Sequence, residues 1–119
     1  MAMTIALIGY GEVGRILAED LRARGESVVA FDLKLDGDAG AAMREHASTQ
    51  GIALATSHAD AVRGADLVIS AVTASQAVPV ALACAAGLKK GAFFLDFNSA
   101  SPGAKIRAAK TVNAVGARY

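Results

Sequence analysis

Three glycines with a fixed spacing stand near the start of the chain, in the stretch Gly9-Tyr10-Gly11-Glu12-Val13-Gly14. The apolar run Met3 to Ile8 comes directly before it and indicates a parallel strand that is covered on both faces. After it, apolar residues recur at helical spacing as far as Gly25, which is typical of a helix C-terminus; they are Val13, Ile16, Leu17 and Leu21. The stretch is therefore predicted to be the turn between a first strand and a first helix.

The rest of the chain continues this alternation. A second β-rich run, Ser27 to Phe31, ends at Asp32, and a polar connection follows from Leu33 to Gly40. Three more strands are predicted near Ile52 to Ala55, Leu67 to Ala71 and Ala92 to Phe97, and four more helices near Ala41 to Gln50, Ala59 to Arg63, Gln76 to Ala86 and Pro102 to Val112, the last capped by Ser101. The last residues, Ala117 to Tyr119, indicate the beginning of a further strand. Strands alternating with helices predict a single α/β domain with a Rossmann-type, doubly wound and mainly parallel sheet.

In this context the glycine turn is typical of a site that binds the phosphates of a dinucleotide. Gly9 allows the tight turn, Gly11 lets the pyrophosphate reach the backbone, and Gly14 lets the helix approach the strand. The helix N-terminus adds amide donors and a partial positive charge. We therefore expect the whole turn, with Tyr10, Glu12 and Val13, to contact the cofactor. The alternative is a tight turn that binds nothing.

Asp32 predicts which dinucleotide is bound. It ends the second strand, roughly 20 positions after the last glycine, where a carboxylate accepts hydrogen bonds from the adenosine ribose hydroxyls and repels a 2′-phosphate. NAD is therefore favoured over NADP. Lys34 lies close enough to pair with a 2′-phosphate, so NADP stays the alternative.

Composition excludes several classes of partner. Twelve basic and eleven acidic residues give a formal charge of +1, which argues against nucleic acid. The apolar stretch Ala71 to Leu88 is interrupted by polar residues and a proline, which favours a buried helix over a membrane span, and the N-terminus does not have the features of a signal peptide. We expect a cytoplasmic protein without a metal site, in which Cys84 is buried and the isolated His46 and His58 are exposed or locally bonded.

A second motif, Asp96-Phe97-Asn98-Ser99-Ala100-Ser101-Pro102, follows the last predicted full strand. Together with the glycine turn and Asp32, it makes the chain resemble the N-terminal NAD-binding domain of the β-hydroxyacid dehydrogenase family. That family includes 6-phosphogluconate and 3-hydroxyisobutyrate dehydrogenases. The resemblance implies hydride transfer between a nicotinamide cofactor and a small hydroxy acid.

The resemblance also implies further site residues. It places Asn98, Ser99 and Ser101 at the nicotinamide and substrate, and Val72 and Thr73 beside the nicotinamide ribose. Family members continue into an all-helical domain that supplies the catalytic lysine, so residues 1–119 are expected to be the dinucleotide-binding domain alone, inactive without that second domain. No catalytic residue is assigned, since no lysine of the chain matches the family motif; the candidates were Lys89, Lys90, Lys105 and Lys110.

Three alternatives remain open at this point. An imine or ketimine reductase has the same first domain, and a module that senses NAD(H) without chemistry has the same fold. A third is pairing of two copies into a homo-oligomer through the unfinished edge of the sheet. If a second domain docks here, an apolar patch is predicted near Val112, Val115 and Tyr119.

Overall fold

The computed structural model describes residues 3–119, which form five parallel strands in one sheet. The strands are β1 (Thr4–Ile8), β2 (Ser27–Phe31), β3 (Ala53–Leu54), β4 (Leu67–Ser70) and β5 (Phe93–Asp96), in the order β3-β2-β1-β4-β5. The predicted Rossmann-type doubly wound sheet is confirmed. The strand order reverses between β1 and β4, which is where folds of this class bind ligands.

Five α-helices cover the two faces of the sheet. They are α1 (Glu12–Ala23), α2 (Gly40–Gln50), α3 (His58–Val62), α4 (Ala77–Ala85) and α5 (Pro102–Ala114). Helix α1 packs on β1, β2 and α2, whereas α3 packs on α4 and α4 on α5. Right-handed crossovers therefore put α1 and α2 on one face and α3 to α5 on the other. Among residues 3–119, no helix combines the length and apolarity needed to cross a membrane.

The central strand explains why the carboxyl ends of the strands meet. Residues Ile5–Ile8 of β1 are all buried, as expected for a parallel strand with helices on both faces. Ile8 is in register with Phe31 of β2 and with Ser70 of β4. The residues that follow these strands therefore emerge side by side at one edge of the sheet.

Helix α1 buries small residues. Gly14 and Ala18 face the sheet, with Leu17 and Leu21 partly buried beside them, while Val13 and Ile16 are exposed. Although all four larger apolar residues recur at helical spacing, Val13 and Ile16 thus do not belong to the buried face of the helix. The glycine turn brings α1 so close to the sheet that only small side chains fit between them.

Two predicted segments have more local structure than the sequence indicated. The connection after β2 contains a 3-10 helix, Leu33–Asp36, capped by the side chain of Asp32. The helix predicted over Gln76 to Ala86 is a 3-10 helix, Ala74–Gln76, followed by α4. In the first of these 3-10 helices the N–H of Lys34 donates to Oδ1 of Asp32, and in the second the N–H of Gln76 donates to the carbonyl oxygen of Thr73.

Residues Ala117 to Tyr119, predicted as the beginning of a further strand, form one isolated bridge to β5. Arg118 forms a parallel bridge with Phe93, and its carbonyl accepts a 2.7 Å hydrogen bond from the N–H of Phe94. At the other end of α5, Ser101 is the predicted N-cap, with its Oγ accepting a 3.1 Å bond from the N–H of Ala104.

Exposed apolar surface lies on β5 and also at part of the patch predicted near α5, where Val115 is 41% exposed. Phe93, Leu95 and Phe97 are 52%, 43% and 52% exposed, and they alternate with the buried Phe94. Val112 is fully buried, so the predicted patch on α5 is wrong at that position. Val112 is one helical turn from Ala108, and both are buried on one side of the helix that packs along α4.

Candidate functional site

A cavity of about 310 Å³ opens at the edge where β1, β2 and β4 end. It lies at the carboxyl ends of the strands, beside the reversal of strand order between β1 and β4. Nine predicted cofactor-binding residues line it: Gly9, Gly11, Glu12, Val13, Gly14, Asp32, Lys34, Val72 and Thr73. The structure therefore brings the glycine turn, the end of β2 and the end of β4 together around one space.

The three glycines of the turn differ in what surrounds them. Gly9 has φ +98°, and a Cβ there would lie 2.2 Å from the carbonyl oxygen of Ala71. A Cβ at Gly14 would lie 2.1 Å from the carbonyl oxygen of Gly9. A Cβ at Gly11 would meet nothing within 4 Å. The fold leaves no room for a side chain at Gly9 or Gly14. At Gly11 a side chain would fit the fold, and its absence leaves the backbone beside the cavity uncovered.

Helix α1 presents its N-terminus to this bare segment. Its N-cap is Gly11, which has no side chain to bond the first amides of the helix. The first-turn N–H groups have no partner within a helix, and they carry a partial positive charge. Glu12 is exposed at this end, and the partly buried Arg15 holds its Nε 3.4 Å from the carbonyl oxygen of Gly11. The arrangement suits a bound anion.

Asp32 is held rigidly at the lip of the cavity. Its Oδ2 accepts a 2.8 Å hydrogen bond from the N–H of Tyr10, and its Oδ1 accepts a 2.8 Å bond from the N–H of Lys34. A carboxylate has about four acceptor positions, so both oxygens can accept further bonds. The side chain is thus oriented in advance for hydroxyl donors in the cavity.

The cavity has a floor that sequence reasoning missed. Phe31, Gln76 and Val80 line it together with His58, which the sequence treated as an isolated histidine. The His58 and Phe31 rings meet edge to face with centroids 4.8 Å apart. Burial lowers the pKa of His58, although the charge of Asp32 opposes this shift, so the imidazole is neutral near pH 7. The signal available was the position of His58, since a helix that follows a strand begins at the same edge of the sheet.

Asn98, Ser99 and Ser101 do not line this cavity. Asn98 is 5% exposed; its Oδ1 accepts a 2.7 Å bond from the N–H of Val72, and its Nδ2 donates a 3.0 Å bond to Oγ of Ser70. Ser99 and Ser101 are exposed, and Ser101 is occupied as the cap of α5. The Asn98 side chain thus joins the ends of β4 and β5 and supports Val72 from behind.

Near the end of β5, Asp96 forms a cluster with Lys105 and Tyr119. Asp96 accepts a 2.6 Å bond from the hydroxyl of Tyr119, and its Oδ1 lies 3.6 Å from Nζ of Lys105. Within residues 3–119 no group of three His, Cys, Asp or Glu side chains is placed to hold a metal ion.

Comparisons with known proteins agree with this fold. Residues 4–119 match the model of the NAD-binding domain of 6-phosphogluconate dehydrogenase. No curated protein sequence matches the chain. A conserved hypothetical protein from Sinorhizobium meliloti 1021 is 32% identical with a TM-score of 0.90, and the match covers 99% of this chain and 40% of that one.

Two functionally described structures share the fold at lower identity. The 3-hydroxyisobutyrate dehydrogenase of Mycobacterium tuberculosis is 24% identical, with a TM-score of 0.86 over 99% of this chain and 39% of its own. A reductive aminase from Aspergillus terreus in complex with NADPH is 21% identical, with a TM-score of 0.76 over 100% of this chain and 40% of its own. The chain thus spans about two fifths of the length of these proteins. With its glycine turn, its parallel sheet and a match over nearly its whole length, the chain belongs to the family of NAD-binding domains of 6-phosphogluconate dehydrogenase.

Proposed function

We propose that this chain binds NAD(H) in the cavity at the end of β1, as the cofactor domain of a dehydrogenase that acts on a small hydroxy acid. The observation that carries the proposal is the fixed carboxylate of Asp32 beside the bare backbone at Gly11. The two features match the two parts of a dinucleotide that this fold recognises, the adenosine ribose and the pyrophosphate.

Each wall of the cavity has a role in this proposal. The backbone from Gly9 to Gly14 and the first turn of α1 bind the pyrophosphate. Asp32 accepts hydrogen bonds from the ribose hydroxyls, and the neutral His58 and Phe31 form the apolar side against which adenine packs. Val72 and Thr73 border the ribose of the nicotinamide half, with Asn98 holding Val72 in place. When bound, the nicotinamide ring accepts or donates the hydride.

Asp32 favours NAD over NADP. A 2′-phosphate at the ribose would lie against a carboxylate whose two oxygens are fixed by backbone amides. Lys34 is the one Lys or Arg among the residues that line the cavity, and its side chain is exposed. The likeness to an NADPH-bound reductive aminase, at 21% identity, extends to the fold alone. An imine reductase is the second candidate, and a preference for NADPH would favour it.

The substrate is proposed to lie beyond the nicotinamide, towards Ser99 and Ser101. Both hydroxyls are exposed at the carboxyl end of β5, close to the N-terminus of α5. The family resemblance assigns the catalytic lysine to a helical second domain, for which the exposed apolar row Phe93, Leu95 and Phe97 is the proposed docking surface. The chain alone is therefore proposed to bind cofactor without turnover.

Isothermal titration calorimetry of the chain with NADH and NADPH in parallel tests the proposal. We expect NADH to bind at least about tenfold more tightly, because the 2′-phosphate adds a charge repulsion of more than about 1.4 kcal/mol. Tighter binding of NADPH would indicate that Lys34 pairs with the 2′-phosphate of the ribose, and it would support the imine reductase alternative. Absence of binding to either dinucleotide would overturn the proposal for this chain.

A further inference from the structure

Tyr10 occupies the position between the first two glycines of the turn, yet its side chain points away from the cavity. It is fully buried, and its hydroxyl is hydrogen-bonded to Nδ1 of His46 on α2. The other ring nitrogen of His46, Nε2, lies 2.8 Å from Oε1 of Glu19 on α1. The two rings also meet edge to face, with centroids 5.3 Å apart. The hydrogen-bonded side chains of Tyr10, His46 and Glu19 thus connect the glycine turn to helices α1 and α2.

The two hydrogen bonds that join Tyr10, His46 and Glu19 have the same direction, from Tyr10 towards Glu19. Burial raises the pKa of Tyr10 to about 12, so the phenol keeps its proton at physiological pH. Its O–H therefore donates to Nδ1 of His46, and the N–H at Nε2 donates to the carboxylate of Glu19. With hydrogen on Nε2 of His46, each of these two hydrogen bonds has one donor and one acceptor.

The three side chains come from the two segments that carry the two halves of the proposed site. Glu19 belongs to α1, which begins at the glycine turn. His46 belongs to α2, whose first residue, Gly40, is packed so closely on the 3-10 helix after Asp32 that a Cβ there would lie 2.0 Å from the carbonyl oxygen of Leu35. The start of α2 is therefore packed directly on the segment that follows β2.

A backbone bond joins the same two segments at the cavity itself. The N–H of Tyr10 donates to Oδ2 of Asp32, while its hydroxyl is held by His46 on the other side of the turn. One residue thus fixes the turn both to the carboxylate beside it and to the helix that follows that carboxylate.

We propose that Tyr10 and His46 are positioning residues that set the spacing between the phosphate-binding turn and Asp32. The inference rests on the proposed function, because only a ligand that touches both parts senses their spacing. A dinucleotide is such a ligand, with its pyrophosphate at the turn and its adenosine ribose at Asp32. Neither Tyr10 nor His46 lines the cavity, so any effect on binding acts through the backbone.

The test is calorimetric titration of NADH into variants of the full chain, at a temperature where each is shown by circular dichroism to be folded. Tyr10→Phe keeps the buried ring and removes only its hydroxyl, and His46→Leu removes its partner. We expect each to raise the Kd for NADH about fivefold, and the double variant to raise it no further, because both remove the same hydrogen bond. Glu19→Gln retains an acceptor for His46 and should bind NADH as the unaltered chain does, whereas Glu19→Leu should not.

Val112→Ala is the matched control for stability. It removes buried atoms from α5, on the opposite face of the sheet, and it should lower the melting temperature without changing the Kd. If the unaltered chain binds NADH and Tyr10→Phe and His46→Leu bind it equally well, the side-chain connection is structural only and the inference is overturned. If the unaltered chain does not bind NADH, the proposed function fails as well, so the two failures are distinguishable.

Discussion

The backbone N–H of Tyr10 donates a 2.8 Å hydrogen bond to Oδ2 of Asp32, joining the turn after β1 to the end of β2. The bond ties two features that are recognised separately in the sequence, a glycine motif and an acidic residue, into one rigid unit. In the proposed site, a ribose would meet a carboxylate that has already lost conformational freedom, so that less entropy would be lost on binding.

Replacing Asp32 by Asn should change both affinity and cofactor preference. The amide has one acceptor oxygen in place of two, so either the N–H of Tyr10 or that of Lys34 loses its partner. We expect the Kd for NADH to rise about tenfold or more, since a hydrogen bond to a charged group contributes about 1.5–3 kcal/mol. The Kd for NADPH should rise less, because the repulsion of the 2′-phosphate is removed. Titration of both cofactors measures the two effects.

Asp36→Asn is the matched control for this prediction. Asp36 ends the same 3-10 helix, but its side chain is almost fully exposed. It should bind both cofactors as the unaltered chain does. Equal NADH affinity in Asp32→Asn and Asp36→Asn would remove Asp32 from the site.

The first two glycines of the turn should respond in opposite ways to alanine. Gly9→Ala puts a Cβ 2.2 Å from the carbonyl oxygen of Ala71 at a positive φ, so it should destabilise the fold by about 3 kcal/mol or more. Gly11→Ala meets no protein atom within 4 Å at a φ of −84°, so it should melt like the unaltered chain. It should nevertheless weaken NADH binding, because the methyl group fills space proposed for the pyrophosphate. Thermal unfolding and titration separate the two; a stable Gly11→Ala that binds NADH normally would place the pyrophosphate elsewhere.

The sequence was sufficient to predict the sheet and the glycine turn, because both depend on local patterns. Apolar runs such as Ile5–Ile8 are long enough to indicate strands covered on both faces. The spacing of the glycines within one turn indicates the positions, Gly9 and Gly14, at which another part of the backbone lies too close for a side chain. The burial of Val112 was also within reach, since Ala108 precedes it by one helical turn and the two small side chains mark the face that packs on α4.

The remaining site residues depend on contacts between distant segments. His58 joins the cavity because the connection from β3 starts α3 beside Phe31, and no local pattern predicts that pairing. Asn98 turns inward because the register of Ser70 with Asp96 places it beside the first residues after β4. The bond between Tyr10 and His46 requires the packing of α1 on α2, which composition and periodicity do not determine.

Stability should fall in alkaline solution as buried groups lose protons. Burial raises the pKa of Tyr10 to about 12 and that of Cys84 to about 12, and burial and the neighbouring Asp96 raise the pKa of Tyr119. A group with a raised folded-state pKa stabilises the fold fully below its ordinary pKa, about 9 for Cys and 10 for Tyr, and this contribution is lost as the pH rises towards the folded-state value. The melting temperature should therefore be level between about pH 7.5 and 8.5 and fall between about pH 9 and 12.

Variants of Cys84, Tyr10 and Tyr119 test which of these groups causes the fall in melting temperature at alkaline pH. Cys84→Ala should delay its onset, and Tyr10→Phe combined with Tyr119→Phe should make its later part shallower, because neither replacement side chain titrates. Parallel curves for the unaltered chain and all variants would mean that other groups cause the fall.

Removing the side chain of Asn98 should lower stability more than it lowers affinity. Asn98→Ala leaves the N–H of Val72 and Oγ of Ser70 without partners in a buried position, which costs about 1–3 kcal/mol. The Kd for NADH should rise by less than in Asp32→Asn, since Asn98 supports the cavity only through Val72. Asn113→Ala is the amide control, because Asn113 is exposed and accepts one 3.1 Å bond from the N–H of Tyr119, so its loss should be within about 0.5 kcal/mol. Chemical unfolding and NADH titration of both variants provide the comparison: a tenfold loss of affinity in Asn98→Ala with unchanged stability would mean that Asn98 contacts the cofactor directly, as the family resemblance implies, and not through Val72.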